Sequence, residues 1–167
     1  EIRQAMKMVI ERARSSYFKD TQIGVEIIEL EQFDTIVEKS TARFHLQHLE
    51  LKIRQLLLLL CEKLDGSLMA NGNGRYQIFS SRGAIEREID MLRATLQQLS
   101  LEAHVPVAVG IGFGETAFSA ESNARKAVQH AKNRDGYGIV IVQENGVIVE
   151  AAGEPEQIAY AYRSNDK

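Results

Sequence analysis

Residues 67–80, SLMANGNGRYQIFS, decide the fold class. Ser67 to Ala70 reads as a short strand, Asn71-Gly72-Asn73-Gly74 as a tight turn, and Arg75 to Ser80 as the returning strand. Asn-Gly supplies the positive φ that a tight hairpin needs. Upstream, a span from about Phe33 to Leu64 reads as one long helix or two joined ones, with Leu49, Ile53, Leu56, Leu60 and Leu64 forming a helical stripe. Leu57, Leu58 and Leu59 make its second half apolar nearly all round, which places that half in the core. Asp65-Gly66 stops it. Before it, Gly24-Val25-Glu26-Ile27-Ile28-Glu29-Leu30 has the β-branched, apolar character of a central strand.

Downstream, Ile85, Ile89, Leu92, Leu96 and Leu99 mark a helix, and Val105 to Ile111 a strand. Gly110, Gly112 and Gly114 are expected to break the chain out of that strand. A helix over about Ser119 to Asn133 carries Ala120, Ala124, Ala127 and Ala131 on one face, small enough to lie close to a sheet. Gly138 to Gln143 and Val147 to Ala151 form a second hairpin across Glu144-Asn145-Gly146. Pro155 opens a short final helix containing Ile158 and Tyr162. At the other end, Ile2, Met6, Val9 and Ala13 repeat at 4-3-4 spacing, a narrow apolar seam suited either to pairing with another helix or to docking on its own domain.

This order predicts an α+β fold: a ferredoxin-like βααββαβ core with a mixed central sheet, an added C-terminal hairpin and an N-terminal helix. The expected organisation is a helix or connector over 1–20, one domain over 21–163 and a tail over 164–167.

The chain's 167 residues suit one domain, and 44% hydrophobic with 26% charged residues is a globular composition. The 20 Lys+Arg against 23 Asp+Glu give a formal charge of -3, which argues against direct nucleic-acid contact from this domain. Its single cysteine, Cys61, sits beside the apolar run Leu56 to Leu60 and reads as a buried, reduced thiol, so a cytoplasmic location is expected. No apolar run approaches the ~20 residues of a membrane span, so no membrane partner is expected. The start at Glu1, not Met, suggests a piece of a longer protein.

Three places could carry chemistry. Glu29 and Glu31, near the end of the first strand, could hold Mg²⁺ with the phosphates of a nucleotide, or could be a solvated strand end. The turn Gly72-Asn73-Gly74 with Arg75 offers backbone N–H groups and a guanidinium to a phosphate, or is simply a hairpin. Lys132, with Lys126, Arg125 and Arg134 near it, is the third; four cations on and after a helix read as a solvated face that suits the C-terminal end of the macrodipole. Gly110-Ile111-Gly112-Phe113-Gly114 is a loose match to a phosphate loop and lacks Gly-Lys-Ser/Thr. His45, His48, His104 and His130 lack metal-ligand spacing, and no nucleophile motif occurs.

In order and spacing these motifs resemble the GGDEF and nucleotidyl-cyclase-like superfamily, which includes the archaeal-type GTP cyclohydrolases of the third class. Ile28-Glu29-Leu30-Glu31-Gln32-Phe33 is similar to the first strand, where Asp-x-Asp precedes a Phe. Gly72-Asn73-Gly74-Arg75-Tyr76 occupies the place of the Gly-Gly-Asp-Glu-Phe hairpin. Val109-Gly110-Ile111-Gly112 with Glu115-Thr116-Ala117 is similar to the late strand and turn. Ala124 to Lys132 looks like the helix ending in Ala-Lys, followed by Gly136. The resemblance spans about Ile23 to Val149 and implies a nucleotide site. Glu29, with Glu31 near it, would be the metal ligand, and Phe33, Gly72, Asn73, Gly74, Arg75 and Lys132 would face the nucleotide. The implied ligand is a guanine nucleotide, with Mg²⁺ as its cofactor, and the implied assembly a homodimer.

Gly74 and Arg75 depart from the pattern, standing where the family has Asp and Glu. Exchanging carboxylate for guanidinium changes the local charge by two units, each worth about 4 kcal/mol at ~4 Å and an effective dielectric of 20. That argues against two-metal phosphoryl transfer. The expectation is a non-catalytic, degenerate domain for nucleotide sensing or dimerisation in a larger cytoplasmic regulatory protein, in signalling or transcription. The alternative is an active GTP-processing enzyme, cyclohydrolase or cyclase in type, using one divalent metal at Glu29 and Glu31.

Overall fold

In the computed structural model, residues 2–31, 43–134 and 138–151 are described. Helix α1 (Ile2–Thr21) leads into β1 (Ile23–Leu30), α2 (Arg43–Leu64) and the hairpin β2 (Ser67–Gly72) and β3 (Arg75–Ser81). Then come α3 (Arg82–Arg87), α4 (Ile89–Ala103), β4 (Val107–Gly114), α5 (Ala117–Lys132), β5 (Ile139–Val142) and β6 (Ile148–Ala151). The six strands form one sheet in the order β2-β3-β1-β4-β5-β6. β4 and β5 run parallel and every other neighbouring pair antiparallel, so the sheet is mixed. This is the α+β, ferredoxin-like arrangement that the sequence predicts, with the added hairpin at β5–β6. Phe33, Gly136 and the expected final helix lie outside the described residues. No described helix is long and apolar enough to cross a membrane.

Strand alternation divides the interior into two layers. Ile28 and Leu30 of β1, with Ile78, Val109, Ile111, Phe113 and Ile141, meet Ile53, Leu57, Leu60 and Leu64 of α2 and Leu92 and Leu99 of α4. The opposite face presents Val25, Ile27, Ala108, Val140 and Val142 to Ala120, Ala124, Ala127, Val128 and Ala131 of α5. Each fully buried Leu or Ile contributes roughly 1.5–3 kcal/mol, so these two layers are the main source of stability.

Three local readings need correction. The first hairpin's turn is shorter than expected: β2 continues through Gly72, which pairs with Arg75, leaving Asn73-Gly74 as the two-residue loop. Asn73 and Gly74 have φ of +54° and +74°, the left-handed pair that matches strand twist. The expected single helix between hairpin and β4 is two, because the chain bends at Glu88. Ser81 caps the first, its Oγ accepting from the Ala84 N–H at 3.2 Å. Gly110, Gly112 and Gly114 do not leave the strand but lie buried within β4. A Cβ at Gly110 would come within 2.5 Å of the Ala124 carbonyl oxygen, and one at Gly112 within 2.7 Å of the Asn123 carbonyl carbon. These glycines and the alanine stripe together let α5 lie directly on the strand. Asn123 secures it, its Nδ2 donating to the Phe113 carbonyl at 2.8 Å and the Gln143 carbonyl at 3.3 Å.

Candidate functional site

Three separate stretches of the chain bring charge to one end of the sheet. Glu29 is the penultimate residue of β1, Arg75 opens β3 directly opposite it, and Lys132 closes α5. Direct pairing puts Glu29 and Arg75 on the same face, the face that α5 covers. The Glu29 carboxylate accepts an ion pair from Lys132 Nζ on one oxygen, and Arg75 Nε stands 4.0 Å from the other. Glu29 is only 15% exposed, Lys132 30% and Arg75 62%. The cluster is therefore a mostly buried carboxylate bracketed by two cations, with a net charge of +1. Lys132 also sits at the C-terminal, negative end of the helix dipole, where a cation is favoured.

Backbone hydrogen bonds fix this end of the sheet. Leu30 N–H donates to the Gly74 carbonyl at 2.9 Å, tying the hairpin to β1, and Glu31 N–H donates to the Pro106 carbonyl at 3.1 Å. Glu31 itself follows the strand as an exposed turn residue, so the period-two placement beside Glu29 ends with the strand.

On the opposite face, an open cleft of about 410 Å³ lies between the hairpin and α2. Gly72, Asn73, Gly74 and Tyr76 form one wall, Glu50 and Arg54 the other. Burial raises the Tyr76 phenol above its usual range, Glu50 adds to the effect and Arg54 opposes it. The hairpin is thus the ridge between a cationic cluster and a half-apolar cleft.

Of the residues that the sequence singles out, Glu29, Arg75 and Lys132 converge, and Gly72, Asn73 and Gly74 line the neighbouring cleft. Gly110 to Gly114 offer no phosphate loop, since α5 covers them. Arg125 pairs with Glu121 along α5. Among the described residues, no three His, Cys, Asp or Glu side chains gather as a metal site would require. The donor set at the cluster does not suit a divalent ion, because its one carboxylate is already held by two cations. Sequence reasoning missed Glu50, Arg54 and Tyr76, which ordinary helix and strand periodicity does not distinguish from solvated or core positions. It also missed Glu26, buried on the α2 face with neither carboxylate oxygen hydrogen-bonded among the described residues.

No family model matches the chain, and no curated protein matches it. Solved structures do. A bacterial light-regulated adenylyl cyclase superposes with a TM-score of 0.58 at 11% identity, over 72% of this chain and 75% of that one. A microbial GGDEF domain studied with bis-(3′,5′)-cyclic di-GMP gives 0.56 at 16% identity, over 72% and 76%. The active GGEEF domain of a diguanylate cyclase from Vibrio cholerae gives 0.56 at 12%, over 78% and 87%. At such identities the likeness concerns architecture alone, and the chain has the nucleotidyl-cyclase fold shared by these adenylyl cyclase and GGDEF domains.

Proposed function

We propose that this domain binds a guanine nucleotide without turning it over and serves as a sensing module within a larger regulatory protein. The observation that carries this reading is the bracketing of Glu29 by Lys132 and Arg75. Where the resemblance expects a hairpin carboxylate, the chain presents a half-exposed guanidinium able to pair with phosphate. The adjacent hairpin turn is open, with nothing among the described residues within 4 Å of a Cβ at Gly72. The cleft beside it carries Glu50, an acceptor for the N–H donors of a guanine edge. Two-metal chemistry needs carboxylates that this cluster lacks among the described residues, so recognition is retained and turnover is not. Calorimetry with GTP, with and without Mg²⁺, tests binding, and chromatography of the same mixtures tests turnover. Binding with unchanged nucleotide is expected. Product formation that disappears in Glu29→Ala would instead establish the GTP-processing enzyme.

A second reading, assembly, is favoured by α1. Ile2, Met6, Met8, Val9 and Ile10 are all exposed, Ile2 at 80%. We propose that a second copy of the chain covers this seam, giving a homodimer compatible with the sensing role.

A further inference from the structure

We infer that Glu29 is the internal counter-anion of this site, not a metal ligand, and that Lys132 and Arg75 take a nucleotide phosphate that arrives without a divalent ion. The inference rests on the proposed nucleotide binding and specifies how the same site recognises its ligand. Mg²⁺ normally mediates between a carboxylate and a phosphate, two anions that would otherwise repel. Here that mediation is unnecessary, because the cations belong to the chain. Lys132 Nζ contacts one Glu29 oxygen and Arg75 Nε lies 4.0 Å from the other. Glu29 cannot leave, being fixed in β1 and largely buried, so it holds both cations in place while the site is empty and competes with the incoming phosphate. Arg75, at 62% exposure and at the limit of ion-pair distance, is free to turn toward a ligand. The net charge of +1 matches the single charge of a phosphodiester and offsets part of the nearly double charge of a terminal phosphate at pH 7, so a cyclic monophosphate or a nucleoside monophosphate is taken without a divalent ion. The shared chemistry is one phosphate group, supplied either as a terminal phosphate or as a phosphodiester.

The test is titration of the chain with GTP, GMP and 3′,5′-cyclic GMP, each in EDTA and in Mg²⁺, with thermal unfolding to confirm that every variant is folded. The wild type is expected to bind in EDTA at least as tightly as in Mg²⁺, with affinity falling as salt rises. Glu29→Gln keeps the shape and removes the competitor, so binding in EDTA is expected to tighten about tenfold, a surface-screened fraction of the direct charge term. Arg75→Gln, at an exposed position, is expected to weaken it by a similar factor. GMP binding without cyclic GMP binding identifies a terminal phosphate, and the reverse a phosphodiester. Binding that requires Mg²⁺ and is lost in Glu29→Gln would overturn the counter-anion role while leaving nucleotide sensing intact. Absence of binding to wild type and variants in both buffers would remove the sensing reading itself, and this inference with it.

Discussion

Glu26 occupies the middle of β1, flanked by Ile78 on β3 and Ile111 on β4, and faces α2. It is fully buried and, among the described residues, neither carboxylate oxygen has a hydrogen-bond partner. Burial pushes its pKa from 4.5 to about 8, so the folded chain holds this side chain neutral at pH 7. The consequence for stability has a definite sign. Below pH 4.5 both folded and unfolded chains are protonated and there is no penalty. Between 4.5 and about 8 the unfolded chain ionises and the folded chain does not, so stability falls by about 1.4 kcal/mol per pH unit. Above about 8 the loss is complete, on the order of 5 kcal/mol. Glu26→Met, similar in volume and without charge, is expected to remove this slope and to exceed the wild type in stability at pH 8. Denaturant unfolding of both proteins at pH 5 and pH 8 checks it, and parallel pH profiles would refute the buried acid. Cys61 on α2 feels the same surroundings: burial first, then Glu26, raise its thiol to about 11. The native thiol is therefore expected to resist alkylation at pH 8 and to react fully once denatured, as a thiol assay with and without denaturant would show.

At the scale of elements, the contact between α5 and β4 governs both fold and site, because α5 delivers Lys132. Alanine at Gly110 or Gly112 would place a Cβ closer than 3.0 Å to backbone atoms of residues 120 to 128, which have no flexible end to move aside. Gly112→Ala is expected to cost about 3 kcal/mol or more, or to prevent folding. Gly146→Ala, in open space at φ +83°, is expected to cost only about 1 kcal/mol, through its left-handed backbone. Thermal unfolding of the two variants compares a steric with a purely conformational penalty. The same contact shows which parts of the fold can be read from sequence. The first hairpin was legible because its turn chemistry is local to Asn71–Gly74, but which two of those residues form the loop was not, since both Asn-Gly pairs supply the same positive φ. The alanine stripe of α5 was legible as a sheet-facing surface. The role of Gly110, Gly112 and Gly114 was not, because a missing Cβ gains meaning only against the partner lying on it, and the same three glycines equally suit an exit from a strand. The break at Glu88 was hidden for a related reason: Ile85, Leu92 and Leu99 are buried in one layer, so apolar spacing runs through the bend unaltered.

At the scale of the molecule, β1 connects the two features on which the proposed function depends. Its eight residues run from the α1 junction to the site, with roughly 20 Å between Ile23 and Glu29. At the junction, Arg82 donates to the Gln22 side-chain oxygen at 2.8 Å and to its carbonyl from the backbone at 2.8 Å, while Gln22 Nε2 donates to Glu144. Arg82 is itself held by Glu86 at 2.6 Å and lies over the Phe113 ring, 4.8 Å from its centre. The end of α1 is thus pinned to the sheet, while its first turns stand in solvent. The convergence of Glu29, Arg75 and Lys132 was legible only through family order, since no local pattern joins a strand end, a hairpin and a helix terminus; the seam of Ile2, Met6 and Val9 was legible from its spacing but its exposure was not, because the same spacing suits docking on the domain, and the Ala13 side chain lies outside the described residues. Pairing of two such seams would bury at least two large apolar side chains per copy, each contributing roughly 1.5–3 kcal/mol. The double substitution Met6→Glu and Val9→Glu replaces both by like charges on facing helices. Sedimentation of the wild type is expected to give a dimer, and of the double variant a monomer, with the dissociation constant raised by at least about a hundredfold. Because residues 2–10 are exposed in the single chain, unfolding compared at concentrations where both proteins are monomeric should shift by no more than about 0.5 kcal/mol. A dimer that survives the double substitution would place the interface elsewhere and leave α1 as a connector alone.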